Sequence, residues 1–215
     1  EGPNIGQKMV VVRVHGCPVK CPQCDSSHTW EGEGISYDTE SFFKILKKEM
    51  KKYKCKRVMI TGGEPGLYVS FFKEFFDNYV NKMEEWKFDF ETSGIINLSD
   101  LYEYQYLFHF NFSPKIGALS PEKRMELKAF SSELPDFYCV KIVVSKETWE
   151  TDLESIKDFQ TKYNIPDENI YFMPKGTDKG TITRESKWLI KKLSKLTYNF
   201  TPRLHILLYN KKKLV

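Results

Sequence analysis

The sequence predicts an α/β fold: a partial, open, about six-stranded TIM-like barrel with parallel strands and outer helices. Three observations carry that expectation. Short β-branched or aromatic runs alternate with longer stretches of helical periodicity. Each run ends in a turn or polar loop, the pattern of repeated βα units that bury a parallel sheet under helices. The residues best suited to chemistry fall in those loops, on the rim where such folds keep their function.

The expected strands are 9–15, 57–61, 87–91, 107–113, 138–145 and 169–173. Between the first two, Phe42, Phe43, Leu46 and Met50 share one helical face, and Phe71, Phe72, Phe75, Phe76 and Tyr79 make a second. Further helices are expected near 121–130, 147–163 and 184–195, with Ser120 before Pro121 as cap and first turn. At 215 residues, 40% hydrophobic and 15% aromatic, the chain can bury one substantial core and reads as a single domain, 1–215.

Charge excludes little by itself. Lys+Arg 33 against Asp+Glu 29 gives +4, too mild to argue for nucleic-acid binding. The basic run from Lys47 to Arg57 reads as a solvated helix end, where cations also suit the helix dipole; Lys211-Lys212-Lys213 is a second basic stretch. No apolar run is long enough to span a bilayer and no signal-peptide pattern is present, so no membrane partner is expected. Five cysteines, an odd number, give no disulfide framework. A reducing cytoplasmic location is the expectation.

Cys17, Cys21 and Cys24 follow the first strand at C-x-x-x-C-x-x-C spacing. Three thiolates cannot fill a four-coordinate site, so one position is left for something else. A [4Fe–4S] cluster on three cysteines has one iron without a protein ligand; the competing reading is a structural zinc site with His28 or His15 as fourth ligand. Buried apolar thiols are a poor reading, because Pro18, Lys20, Pro22, Gln23 and Asp25 make the segment a polar loop. Cys55 and Cys139 add no site.

Each later strand end carries a weak motif. Thr61-Gly62-Gly63-Glu64-Pro65-Gly66 offers glycines that let backbone approach a ligand, and a carboxylate that can accept from an ammonium group. An ordinary Gly-Gly turn with a solvated glutamate would read the same. Glu91-Thr92-Ser93-Gly94 and Ser113-Pro114-Lys115 follow the third and fourth strands. Their shared place on one rim is what gives them weight.

Taken together, these residues resemble the radical S-adenosylmethionine superfamily. The wider set resembles its 7-carboxy-7-deazaguanine synthase family: Glu1 to Gly6, Arg13, Gly16-Cys17, Cys24-Asp25-Ser26 with Trp30, Thr61 before Gly-Gly-Glu-Pro, Glu91 to Gly94, Ser113 to Lys115, and Arg203 to Leu208. The resemblance spans nearly the whole chain and implies a radical SAM barrel, with a cluster loop near 16–34 and a C-terminal substrate-capping segment near 203–215. It implies a [4Fe–4S] cluster on Cys17, Cys21 and Cys24, whose open iron binds S-adenosylmethionine. It places Gln23, Cys24, Asp25, Gly63, Glu64, Ser113, Pro114 and Lys115 around that cofactor.

By the same resemblance the substrate is 6-carboxy-5,6,7,8-tetrahydropterin, ring-contracted to 7-carboxy-7-deazaguanine with loss of ammonia, on a queuosine-type deazapurine route. Glu1, Arg13, Thr61, His205 and the Val215 carboxylate would contact it, and Ser26 would ligate Mg²⁺ where relatives usually have threonine. An electron donor such as flavodoxin or ferredoxin, and a homodimer, are further implications. From the residues alone, Arg13 reads equally as a surface ion pair, Ser26 as a loop serine bonded to backbone, and His205 as a core histidine. Relatives carry residues before Glu1, a tyrosine where this chain has His28, and a tail usually containing Arg-Gly. A glycyl-radical-enzyme activating protein, sharing the cysteine loop, and a zinc-binding nucleic-acid module are the other readings.

Overall fold

The computed structural model describes residues 1–22, 24–31, 34–116, 119 and 124–210. Their backbone forms a seven-stranded, all-parallel sheet in sequential order: β1 (Val10–Val14), β2 (Arg57–Gly62), β3 (Lys87–Thr92), β4 (Phe108–Phe112), β5 (Tyr138–Val144), β6 (Ile170–Pro174) and β7 (Asn199–Phe200). β1 and β7 lie at opposite edges, so the barrel is open. Because every strand runs the same way, the loops after the strands all emerge on one rim.

The strands explain which face the site takes. A parallel sheet covered on both sides reads as near-continuous apolar runs, whereas these strands alternate. Val58, Ile60, Phe88, Phe90, Phe108, Phe110, Phe112, Val140, Ile142, Ile170 and Phe172 are each 3% exposed or less and point to the helices. The intervening residues of the same strands include Thr61, Asp89, Glu91, His109, Asn111, Cys139 and Lys141, with Met59, Val143 and Met173 as apolar members of that face. Period-two alternation therefore sends apolar groups outward to the helices and polar groups to the concave side.

Helix α1 (Thr39–Tyr53) begins at Asp38, whose carboxylate accepts from the Ser41 amide at 2.7 Å, and ends at Lys54 in the left-handed region at φ 49°. It buries Phe42, Phe43, Leu46 and Met50. Helix α2 (Val69–Tyr79) meets it edge-to-face, with Phe42 and Phe75 centroids 4.9 Å apart. Phe76 then carries the stack onto the sheet, 4.9 Å from Phe88 and 4.8 Å from Phe108. Helix α3 (Trp149–Tyr163) covers β5 and β6 with Trp149, Ile156 and Phe159. Helix α4 (Lys179–Leu193) buries Ile182, Leu189 and Leu193, and α5 (Leu204–Tyr209) is a short helix that buries Ile206.

The six expected strands are present within a residue or two at each end. The seventh, β7, is only two residues long, too short to leave a periodic signal. Helix α4 starts five residues earlier than the expected 184, because Asp178 caps it by accepting from the Thr181 amide at 3.0 Å. The helix expected near 121–130 is corrected: residues 124–127 are not helical and Lys128–Phe130 form one 3-10 turn. Ser120 and Pro121 lie outside the described residues. No described helix is long and apolar enough to cross a membrane.

Phe76→Ala should cost about 3–5 kcal/mol, as the cavity would open between α2 and two strands. A denaturant titration showing a loss below about 1 kcal/mol would contradict the placement of this residue at the helix–sheet contact.

Candidate active site

A cleft of about 860 Å³ opens on the rim, over the polar face of the sheet. Its roof is the loop that follows β1. Gly16 turns the chain at φ 82°, its amide donating to the Thr29 carbonyl at 2.8 Å, and the Cys24 amide donates to the Cys21 carbonyl at 3.1 Å. Cys17, Cys21 and Cys24 are half-buried and all three line the cleft. Burial pushes the Cys21 thiol up; Lys115 opposes that, while Cys24 and Cys17 add to it. The Cys21 sulfur therefore lies within electrostatic reach of the other two cysteines and of Lys115.

The Gly-Gly turn fixes that loop. Glycine is required here by space: a Cβ on Gly63 would lie 2.0 Å from the Gly16 carbonyl oxygen, and one on Gly62, at φ 120°, 2.4 Å from the Val14 oxygen. The close approach is used for bonding, since the Gly63 amide donates to Val14 at 2.9 Å and the Glu64 amide to Gly16 at 2.8 Å. Glu64 is 1% exposed, and its carboxylate accepts from the Gly66 amide (2.9 Å), Thr92 Oγ1 (2.6 Å), the Ser93 amide (2.8 Å) and the Ser93 hydroxyl. Its oxygens are thus occupied in tying β2 to β3. Ser113, whose amide donates to Thr92 at 2.7 Å, accepts from Lys115 Nζ at 2.9 Å. Both line the cleft, while Pro114 between them is buried.

The floor is ionic. Lys141, 2% exposed in the middle of β5, donates to Glu91 Oε2 at 2.5 Å and lies 3.5 Å from Glu1 Oε2. Burial works to lower the Lys141 ammonium, but Glu91 and Glu1 overcome it and hold it above its ordinary value. The two carboxyls are pushed apart. Burial raises Glu91 against the pull of Lys141, whereas at Glu1 burial is outweighed by Lys141 and Arg203 and the group is lowered. Glu91 Oε1 is buried without a hydrogen-bond partner, on a residue that lines the cleft.

The N-terminal residues reach this floor because Gly2, at φ 71°, threads against Asn111, Cys139 and Lys141, where a Cβ would meet Asn111 Oδ1 at 3.1 Å. Its amide donates to Thr201 Oγ1 at 2.8 Å. Below, Asn4 donates to Asp89 at 2.6 Å, and Asp89 pairs with Arg57 at 2.8 Å. Cys139 lies in the same layer, its thiol pushed up to about 12 by burial.

The far wall comes from the C-terminal segment. Arg203 donates to the Gly176 carbonyl at 2.7 Å and pairs with Asp25. Asp25 is held below the usual carboxylate range: burial would raise it, but the His205 hydrogen bond and the Arg203 charge prevail. His205 is 43% exposed, with Nδ1 3.6 Å from Glu1 and Nε2 3.5 Å from Asp25, so it is not a core-packed histidine. Arg13 donates to Ser26 Oγ at 3.1 Å, and Thr61 stands beside it in register on β2.

The cleft therefore gathers Glu1, Arg13, Cys17, Cys21, Cys24, Asp25, Ser26, Thr61, Gly63, Glu64, Ser113, Lys115 and His205 on one surface. Gln23 and Val215 lie outside the described residues. Sequence reading assigns no role to Lys141, Glu91 or Arg203, although Lys141 is the lone charge in Tyr-Cys-Val-Lys-Ile-Val-Val and so carries a signal. Among the described residues no three His, Cys, Asp or Glu side chains converge on a single metal ion, His15 and His28 included. Three thiols around a shared space, with no fourth ligand, suit a cluster several atoms across.

Comparison with known proteins agrees with this geometry. Residues 3–104 match the family described as a 4Fe-4S single cluster domain. The chain is 26% identical to the 7-carboxy-7-deazaguanine synthase of Hyperthermus butylicus, over 96% of this chain and 87% of that protein. It is 25% identical to the synthase of Pyrobaculum aerophilum, over 96% and 88%. Among solved structures, Streptococcus suis SuiB bound to S-adenosylmethionine superposes with a TM-score of 0.61 at 15% identity, covering 96% of this chain; the chain spans about half, 53%, of that protein. The likeness to that structure is one of fold: an open parallel barrel with a three-cysteine loop after its first strand. Over nearly its whole length the chain is similar to 7-carboxy-7-deazaguanine synthases.

Lys141→Met should destabilise the fold by about 3–5 kcal/mol, because two buried carboxylates would lose their counter-ion; adding Glu91→Gln should recover part of that loss in denaturant titrations. Asp25, with its folded value lowered, contributes stability that is present above the ordinary carboxylate value and lost as pH falls through the folded value. Thermal melts of Asp25→Asn should accordingly show a flatter acid limb below about pH 4 than the parent.

Proposed function

We propose that this cleft converts 6-carboxy-5,6,7,8-tetrahydropterin into 7-carboxy-7-deazaguanine with release of ammonia, supplying a deazapurine route of the queuosine type. The observation that carries the reading is that three half-buried thiols and an ionic floor with an unpartnered acceptor, Glu91 Oε1, share one cleft.

Cys17, Cys21 and Cys24 would hold a [4Fe–4S] cluster, leaving one iron open. When bound and reduced, the cluster with S-adenosylmethionine supplies a carbon-centred radical able to take a hydrogen atom from an unactivated position. The polypeptide's part is placement. The backbone around Gly62 and Gly63, kept bare of Cβ atoms, Cys24, Asp25, Ser113 and Lys115 would receive the cofactor's polar groups, with Gln23 in the same role. Glu64 and Pro114 would act by fixing that backbone.

For the substrate, Arg13 offers a planar guanidinium to a carboxylate, and Glu91 Oε1 offers an acceptor to ring N–H donors. Lys141 keeps Glu91 and Glu1 oriented, while Thr61 and His205 close the sides. The segment near 203–215 would cap the pocket, all within one domain of residues 1–215. Flavodoxin or ferredoxin is the class of electron donor that suits such a centre. A homodimer in a reducing cytoplasm completes the proposal.

Magnesium is the one element of this reading that the corner at Ser26 resists. The Ser26 hydroxyl and Asp25 are oxygen ligands of the right kind, but both are already engaged by guanidinium groups, and no step is assigned to the ion.

Anaerobic reconstitution should give a brown protein with roughly four irons per chain. With S-adenosylmethionine, dithionite and the pterin it should form the deazaguanine by mass spectrometry, and Cys21→Ala should lose both iron and product. A loaded cluster without product would remove the substrate assignment; one colourless zinc per chain would remove the cluster as well.

A further inference from the structure

Arg203 stands where four segments meet: the cysteine loop, the loop after β6, the N-terminal residues and α5. Nη1 donates to the Gly176 carbonyl at 2.7 Å and Nη2 donates to Asp25 Oδ2. Nε is buried without a hydrogen-bond partner, 3.9 Å from Glu1 Oε1. The other Asp25 oxygen accepts from Ser26 Oγ at 3.1 Å, and that hydroxyl in turn accepts from Arg13 at 3.1 Å. The corner beside Cys24 thus has two side chains suited to a hard cation, and each is bonded to a guanidinium.

A hard dication needs oxygens free to enter its coordination shell and is repelled by neighbouring cations. A guanidinium is a fixed fork that cannot lose its charge, so it can bridge a carbonyl and a carboxylate at once and hold two loops at a set spacing. Arg203 is only 9% exposed, so its end of the bridge is shielded from solvent, while the Asp25 side chain keeps about a third of its surface in water.

We propose that Arg203 is the resident counter-cation of this corner. It supplies from the polypeptide the charge that Mg²⁺ would bring to Asp25 and Ser26, positions Asp25 beside the cysteine loop, and leaves the corner with little affinity for a dication. The proposal deepens the reading above, since it concerns the same loop, but its test reads metal binding and not turnover, so the two fail separately.

Mn²⁺ serves as the probe, titrated into holoenzyme carrying the oxidised cluster and S-adenosylmethionine, with free Mn²⁺ followed by its EPR signal. The parent protein should show no site tighter than about 1 mM, far weaker than sensor-type cation sites. Arg203→Gln, confirmed by its cluster absorbance, should bind at least tenfold more tightly, Arg203→Lys should resemble the parent, and Arg203→Gln with Asp25→Asn should lose the gain. A micromolar site in the parent that Asp25→Asn abolishes would overturn the proposal, as would an Arg203→Gln protein that binds no more tightly than the parent. Should Arg203→Gln fail to retain its cluster, the parent titration decides alone: absence of a site upholds the counter-cation, and a micromolar site rejects it.

Discussion

An ammonium group sealed under the centre of a parallel sheet constrains everything above it. Lys141 is 2% exposed, and taking such a charge out of water costs several kcal/mol unless it is paired. The pairing comes from Glu91 two strands away and from Glu1, at the far end of the sequence. To deliver Glu1, the N-terminal residues must run beneath the sheet's polar face, which is why a glycine sits where Asn111, Cys139 and Lys141 crowd together. One buried cation thus dictates the path of a terminal segment, the polarity of a whole sheet face and the position of an open carboxylate oxygen. The aromatic layer on the opposite face offsets that cost: Phe88, Phe90, Phe108, Phe110 and Phe112 are almost wholly buried, each of a size that contributes about 1.5–3 kcal/mol.

Above this floor the thiols are held by backbone geometry. The cysteine loop and the Gly-Gly turn approach so closely that neither glycine tolerates a Cβ, and two amide–carbonyl bonds join them. Glu64 then ties the turn to β3 through four hydrogen bonds. This places a buried carboxylate in a structural duty, although its sequence setting invites a ligand-binding one. The same residue types would be compatible with either use; the number of satisfied acceptor sites is what separates them.

What could be read from the sequence follows the range of the interactions. The three cysteines, the paired glycines and the strand–helix alternation are local patterns, and all appear where they were expected. Glu1, Arg13, Thr61 and His205 needed the family resemblance, since each alone reads equally well as a surface or core residue. Lys141, and the ion pair of Arg203, whose segment the resemblance had included, escaped because the partners lie 50 and 178 residues away, and nothing local distinguishes a buried ion pair from a solvated lysine or arginine. The expected helix near 121–130 failed for a related reason: a favourable start signal, Ser before Pro, was given weight without an apolar face to dock.

The charges around the cleft differ in how firmly each is already paired. Arg13, Lys115, Lys141 and Arg203 face Asp25, Glu1 and Glu91, with His205 between Glu1 and Asp25. Lys141 is consumed by Glu91 and Glu1, and Arg203 by Asp25, leaving Arg13 bonded to the neutral Ser26 hydroxyl and Lys115 to the neutral Ser113 hydroxyl. An anion entering the cleft would displace only a neutral acceptor from Arg13 or Lys115 and break no ion pair, a smaller cost than parting Lys141 or Arg203 from a carboxylate. Cations fixed by carboxylates shape the walls, and the two held only by hydroxyls keep their charge uncompensated by these partners.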